Sequence, residues 1–462
     1  MQTRNPITND VTRKIIEDFA QEIKEKKEPG PKPSKTVVFF RNERENNIER
    51  DVYELPINLL RFRKDNGRIA SDVISYEKDK GVLLEEEEST QKLLRKFLED
   101  KDPEKTKELV QSLRQHGQLD PAIITADGFL INGNRRKAAL HILYEKEKNP
   151  KWNRMKVVIL PGKGDPGGPP TLREIEQIEN RYQLHSEGKS EYTLFDRALT
   201  IRRKIKIGIP LEEQLKDDPK FSALENREFT QAARKFKQEY LDPLEKIDTY
   251  LFYLGRENLY STISTGPGDR EGRWQAFLDY SKIYRNISDS KYRQKNNILI
   301  LENEIGSFEE IVFKLIRKRH FPRLNKVHKI IRDLPRYLKN SEAKEELFKL
   351  SEIDLVLPDS ESFDVDGNEY DERTKDSLWG EKHQTTIIRH VKKARDLIEW
   401  EKEKETPIRL LEDALSKLDD ENLIPELVPK SEMKNALRLS ESIEKRAKEL
   451  RCEFYNLQKN KA

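Results

Sequence analysis

Between Lys105 and Leu160 the hydrophobic period switches back and forth between helical and strand spacing, and few architectures accommodate that pattern. Leu109, Val110 and Leu113 recur at helical spacing through KTKELVQSLRQHG, and Gly117 is placed to stop that helix in a left-handed cap. Pro121-Ala-Ile-Ile-Thr125 is a β-branched run, Asp127-Gly128 is a hairpin-turn signal, and Phe129-Leu-Ile131 reads as the returning strand. Asn132-Gly133-Asn134-Arg135-Arg136 then leads directly into the helical KAALHILYEK, and Lys156 to Leu160 supplies a further strand. The order predicts a small α/β unit, and an α+β fold for the chain as a whole.

Outside that unit the texture changes. Residues 1–50 read as a flexible arm, with Ile15, Phe19 and Ile23 able to form one short amphipathic turn-and-a-half before the Lys/Pro-rich KEKKEPGPKPSK. The segment VYELPINLLRFR reads as a strand and turn, Asn66-Gly67-Arg68 as a tight turn carrying a cation, and Glu85 to Glu88 as an exposed loop or helix face. The expected α/β domain spans 51–163, and PGKGDPGGPP at 161–170 reads as a linker. Beyond it the chain is expected to be all helical. One domain is expected over 171–265 with helix pairs at 171–207 and 228–260, and a second over 266–355 after a break at Thr265-Gly-Pro-Gly268. A second linker is expected over 356–383.

The carboxyl end, 384–462, carries the clearest periodic signal. Met433, Ala436, Ser440, Ile443, Ala447, Leu450, Phe454 and Leu457 follow 3-4 spacing, the seam of a coiled coil or helical hairpin. A second stripe, Ile408, Leu411, Leu415 and Leu418, follows Thr406-Pro407, which read as an N-cap and a first-turn proline. The stripes suit packing within the chain or a homodimer.

Composition excludes several function classes. The single cysteine, Cys452, rules out a disulfide framework and a cysteine-built metal site within one chain. No apolar run is long enough for a signal peptide core or a membrane span, so a cytoplasmic protein with no membrane partner is expected. The seven histidines lie apart without a His-Glu-x-x-His pattern. With 88 basic and 85 acidic residues the chain is nearly neutral, so any nucleic-acid reading rests on local clusters.

The local chemistry concentrates at Gly133-Asn134-Arg135-Arg136. A glycine turn entering a helix aims several backbone N–H groups at one point, where the helix dipole adds partial positive charge. Arg135 and Arg136 add forked donors suited to phosphate. Taken alone, the turn reads more readily as surface cations in solvent.

Its surroundings resemble the ParB amino-terminal family, the ParB/sulfiredoxin fold. Ser112, His116, Gly117, Gln118 and Pro121 match that family's helix ending, and Gly133, Arg135, Arg136 and Ala139 match its Gly-Glu-Arg-Arg-x-x-Ala motif, with Asn134 replacing the glutamate. Glu179-Asn180 partly matches its Glu-Asn-x-x-Arg motif, with Gln183 at the last position. The resemblance covers roughly 52–200. It implies phosphate contacts from Gly133, Arg135 and Arg136, with Gly117, Gln118 and Arg68 nearby. It also implies a nucleoside triphosphate whose magnesium is held by Glu179 and Asn180.

Sulfiredoxin chemistry needs a cysteine that this region lacks. A kinase of this fold needs a carboxylate base, for which Glu54 is a candidate and an exposed strand-edge glutamate the alternative. ParB proteins follow this domain with a helix-turn-helix, and REFTQAARKFKQEYLDPLEKIDTYLFYL occupies that place. Phe229, Ala232 and Phe236 would form its first helix, and Leu244, Ile247 and Leu251 the second; an ordinary helical hairpin is equally compatible. Arg234, Lys235 and Lys237 there, with Arg202 and Arg203 upstream, would touch DNA phosphates. Lys314, Arg317, Lys318, Arg319 and His320 form the densest basic run, and Trp274 and Tyr280 read as core aromatics. The expected function is DNA binding in partition or regulation of a mobile element, with a nucleotide-dependent phosphotransferase or nuclease as the alternative.

Overall fold

A computed structural model describes residues 12–29, 34–184, 193–263, 273–322, 324, 326–358, 361–364 and 366–460. The protein is largely helical, with a small mixed β-sheet region near its amino end. The first half runs α1 (Glu17–Lys26), β1 (Glu28–Pro29), β2 (Lys35–Val37), β3 (Glu49–Asp51), β4 (Tyr53–Pro56), α2 (Ala70–Lys80), α3 (Glu88–Lys101), α4 (Pro103–His116), β5 (Ala122–Ile124), α5 (Asn134–Glu147) and β6 (Arg154–Ile159). Then come α6 (Leu172–Leu184), α7 (Leu194–Lys206), α8 (Leu211–Lys216), α9 (Pro219–Ser222), α10 (Asn226–Tyr253), α11 (Arg273–Ser288), α12 (Ser290–Lys295), α13 (Ile305–Lys318), α14 (Val327–Tyr337), α15 (Ser341–Phe348), α16 (Glu372–Lys382), α17 (Gln384–Leu418) and α18 (Met433–Asn460). No helix among the described residues is long and apolar enough to cross a membrane.

The sheet order is β1-β4-β6-β5, with β4 antiparallel and β5 parallel to β6, so that Val157 lies between Tyr53 and Ala122. Strand alternation then sends successive residues to opposite faces. Ala122, Ile124 and Val157 enter one core with Leu94, Leu113, Leu140 and Leu143 of the surrounding helices. Ile123 and Val158 enter another with Val38, Phe40, Ile175 and Ile178. Both faces are covered, which is why these strands read as unbroken apolar runs.

That second core draws on the region expected to be a free arm. The β2–β3 hairpin buries Val38 and Phe40 in it, while Ile23 of α1 is buried in the first core, so the described part of 12–50 contributes to both. The 161–170 stretch likewise makes a fixed loop. Arg41 donates to the carbonyls of Gly167 (2.7 Å) and Pro169 (3.2 Å) while its Nε reaches Glu174 (2.6 Å). Glycine and proline marked irregular backbone correctly, but the arginine that holds it lies about 126 residues upstream.

The helices expected at 171–207 are α6 and α7. The 228–260 region contains no helix-turn-helix and no hairpin: α10 continues through Asp242-Pro243. Proline removes one backbone hydrogen bond, a local cost that packing outweighs. Phe236, Leu244, Ile247 and Leu251 are all buried along one face of the helix, which packs on α7 and α11. Trp274 and Tyr280 are buried as expected. The basic run in α13 turns inward instead of facing solvent. Lys314 caps the carbonyls of Leu350 (3.0 Å) and Ser351 (2.9 Å), and Arg317 (3.0 Å) and Arg319 (2.7 Å) converge on buried Asp376. Asp376 and the buried Trp379 belong to α16, which occupies part of the expected 356–383 linker. The Thr265–Gly268 break lies outside the described residues.

Residues 1–395 form one compact unit and 396–462 another. In the latter, Pro407 lies inside α17, and Thr406 donates its hydroxyl to the Lys402 carbonyl instead of capping a new helix. Ile408, Leu411 and Leu415 on α17, and Leu437, Ile443, Phe454 and Leu457 on α18, are exposed.

Candidate phosphate-binding cleft

The start of α5 opens into a cleft of about 1320 Å³ walled by the β2–β3 loop, α4, α6, α7 and α10. Gly133 is the N-cap, with φ +82° and ψ 7°. A Cβ there would stand 2.7 Å from the Ala122 Cβ and 3.1 Å from the Met155 Cε, so glycine is required by backbone and core together. The first backbone bond of the helix is Lys137 N to Gly133 O at 3.0 Å. The amides of Asn134, Arg135 and Arg136 therefore have no carbonyl of their own helix to bind, which is the geometry that attracts anions.

Three consecutive cations then do three different things. Arg135 is half-buried and lines the cleft, and its Nε and Nη2 find no hydrogen-bond partner among the described residues. Burial, and secondarily the charge of Arg68, holds its guanidinium below its ordinary pKa, although arginine stays charged at neutral pH. The nearby carboxylates Asp102 and Glu108 offset this only in part, so two cations close together on one wall favour an anion there. Arg136 also lines the cleft but donates to the Asp120 carbonyl. Lys137 points away into the core, where its ammonium bonds the Leu60 carbonyl and sits 3.9 Å from the Phe62 ring centroid. Asn134 is only 9% exposed, lines the cleft, and its Oδ1 finds no donor among the described residues.

The other expected phosphate contacts divide. Arg68 lies in the cleft wall on the turn Gly67–Ile69, whose start is capped by Asn66 (3.1 Å to Arg68 N). Gly117 also lines the cleft, ending α4 with φ +70°. Gln118 does not: its amide binds the Lys156 backbone in both directions at 2.7 Å and acts as a short extension of the sheet. Glu54 is outside the cleft, on β4, with Arg154 3.9 Å away, and is not placed to act on anything bound there.

Glu179 and Asn180 reach the cleft from α6, but their neighbours are cations. Asn180 Oδ1 accepts from the buried Lys204 ammonium, and Glu179 lies 3.4 Å from Gly67 N and 3.9 Å from Arg63. One turn earlier, Glu176 meets Arg203 (2.8 Å), Lys204 (3.3 Å) and Arg63 (3.4 Å). Burial alone would raise the Glu176 carboxyl, yet those three cations hold it down at about 2. A magnesium ion on Glu179 and Asn180 would face Arg63 and displace Lys204, so the arrangement does not fit the metal. Among the described residues no group of three or more His, Cys, Asp or Glu is placed to hold a metal ion.

The expected DNA contacts are also redistributed. Arg203 is bound to Glu176, and Arg202 to Asp248 and the Tyr260 hydroxyl, so both stabilise the helical packing. Arg234, Lys235 and Lys237 are exposed on α10 outside the cleft, Lys237 beside Asp242 at 3.2 Å. No local pattern in the sequence marks Arg44, Arg197 or Tyr240, which do line the cleft. Arg44 sits in the supposed arm, and Arg197 and Tyr240 lie on helices distant in sequence from the arginine turn.

No family model matches this chain, and no curated protein and no solved structure matches it.

Proposed function

We propose that this is a DNA-binding protein of ParB-like construction whose amino-terminal α/β domain holds the phosphate of a nucleotide or of DNA. On this reading it serves partition or regulation of a mobile element or a related DNA transaction. The observation that carries it is Arg135, with two guanidinium nitrogens unpartnered among the described residues, beside the open amino terminus of α5 and facing Arg68. Buried donors left unmatched cost stability, and a phosphate supplies the acceptors they lack. The resemblance of 52–200 to the ParB amino-terminal family supports the same site. The exposed apolar residues of α18 support a homodimer through the carboxyl-terminal helices.

Calorimetry of the full chain with tripolyphosphate and a panel of nucleoside triphosphates tests the site. Arg135→Ala is expected to weaken binding by about 2 kcal/mol, roughly thirtyfold, as for a lost charge-assisted contact. Equal affinity in wild type and variant would refute it. Turnover of the nucleotide would favour the enzymatic alternative, and its absence together with salt-dependent DNA retention would exclude that alternative.

A further inference from the structure

The geometry points to a single strand of nucleic acid, several nucleotides long, as the occupant of this cleft. The inference rests on the phosphate-site reading and names its ligand class.

Size is the first argument. Pockets for small ligands and cofactors run from about 300 to 1,000 Å³. This cleft is about 1320 Å³ and extends from the β2–β3 loop across the start of α5 to α10. A mononucleotide anchored at Arg135 would leave much of it empty.

The rest of the cleft offers flat cationic surfaces. Arg44 lies over the Phe39 ring at 4.1 Å, and Phe39 is braced edge-on by Tyr182 at 5.3 Å. Arg197 lies over Tyr240 at 5.1 Å and Phe236 at 5.5 Å, and those two rings stack at 4.5 Å. These are two arginine-on-aromatic ledges, carried by separate parts of the fold, in the same cleft as the Arg68–Arg135 centre. A guanidinium held flat on a ring presents a second flat face for a base and a charge for the adjacent phosphate. Repetition of cation and planar surface along a groove is how single strands are bound without sequence preference. A duplex hides its base faces in its own stack, so the ledges would have nothing to bind.

Asn134 adds to the cleft an acceptor unmatched among the described residues. Its buried Oδ1 is an acceptor, and a phosphate ester at neutral pH has no proton to give it. A sugar hydroxyl or a base N–H does, and both accompany the phosphates of a strand. DNA and RNA share this chemistry up to the 2′-hydroxyl.

Fluorescence anisotropy of the full chain with labelled dT12 and rU12 tests the inference, against a 12-base-pair duplex, a mononucleotide triphosphate and tripolyphosphate. At least one 12-mer is expected to bind at least tenfold tighter than the mononucleotide, with affinity levelling off at roughly four to eight nucleotides. Its salt slope should flatten by about 0.7 for each of Arg44→Ala and Arg197→Ala. Those substitutions should weaken the 12-mer roughly tenfold and leave tripolyphosphate unchanged, while Arg197→Lys should keep the salt slope and still lose affinity. Tripolyphosphate binding with no gain for either 12-mer overturns the inference and leaves the phosphate site standing. Equal binding of the duplex also overturns it. Failure of every ligand removes both readings.

Discussion

Gly133→Ala tests whether the candidate site is locked to the core beneath it. The substitution forces an L side chain into φ +82°, which costs about 1–2 kcal/mol. It also drives the new Cβ to 2.7 Å from the Ala122 Cβ and 3.1 Å from the Met155 Cε, an overpacking cost of about 1–3 kcal/mol. The sum is roughly 2–5 kcal/mol, localised at the junction of β5, β6 and α5. A chain of this length does not unfold in one step, so native-state hydrogen exchange of the amides from Lys137 to Leu140 is the appropriate readout. Their exchange should accelerate by about 30-fold to several thousandfold. Ala122→Gly removes the closest atom, so the double variant should recover about 1–3 kcal/mol relative to the sum of the single changes. A single-variant effect below about 1 kcal/mol, or additivity of the pair within about 0.5 kcal/mol, would refute the contact geometry.

Two further outcomes follow from charge and from exposure. Glu176→Gln leaves Arg63, Arg203 and Lys204 facing one another and should destabilise the α6–α7 region by about 3–5 kcal/mol at neutral pH. Because the folded carboxyl is held at about 2, its contribution is present above the unfolded value near 4.5 and is lost as pH falls towards 2. The gap between wild type and variant in exchange of α6–α7 amides should therefore close over that window, and a gap independent of pH would contradict the network. Ile443→Asp should halve the mass measured by light scattering, and a wild-type protein already monomeric would refute the dimer.

Much of the α/β unit was legible because its signals are local. Gly117 ends α4 at positive φ, Gly128 turns at φ +84°, and the β-branched Ala122–Ile124 became the parallel strand. Arg135 and Gly133 were legible for the same reason, since a glycine turn entering a helix is defined within a few residues. Where the structure departs from local signals, long-range contacts are the cause. Pro407 reads as a first-turn proline and Asp242-Pro243 falls between two expected helices, but both prolines lie inside continuous helices, and in α10 a continuous buried face overrides the local cost. The dense basic run of α13 has the residue types of a solvated cationic face, but Asp376, some 59 positions away, draws it inward. Glu179 and Asn180 had the chemistry of metal ligands, and only tertiary structure brings Lys204 and Arg63 against them. Residue type told which groups were capable of chemistry. Long-range pairing decided which of them were already occupied.

Because α10 runs unbroken from the cleft into the helical block, it behaves as a lever. Tyr240 stands in the cleft wall, and Tyr250, ten residues on, is packed between Phe277 and Phe313 at 5.4 Å from each. That arm is roughly 15 Å long at the rise of an α-helix. Pro243 takes one backbone bond out of the helix between those two points, so bending is cheapest there. A tilt of about 10° at that joint, with roughly 10 Å of helix between it and Tyr250, moves the far end by roughly 2 Å, a large displacement in a close-packed interior. Pressure on Tyr240 from anything seated in the cleft would thus be felt as strain among aromatic rings that no ligand touches.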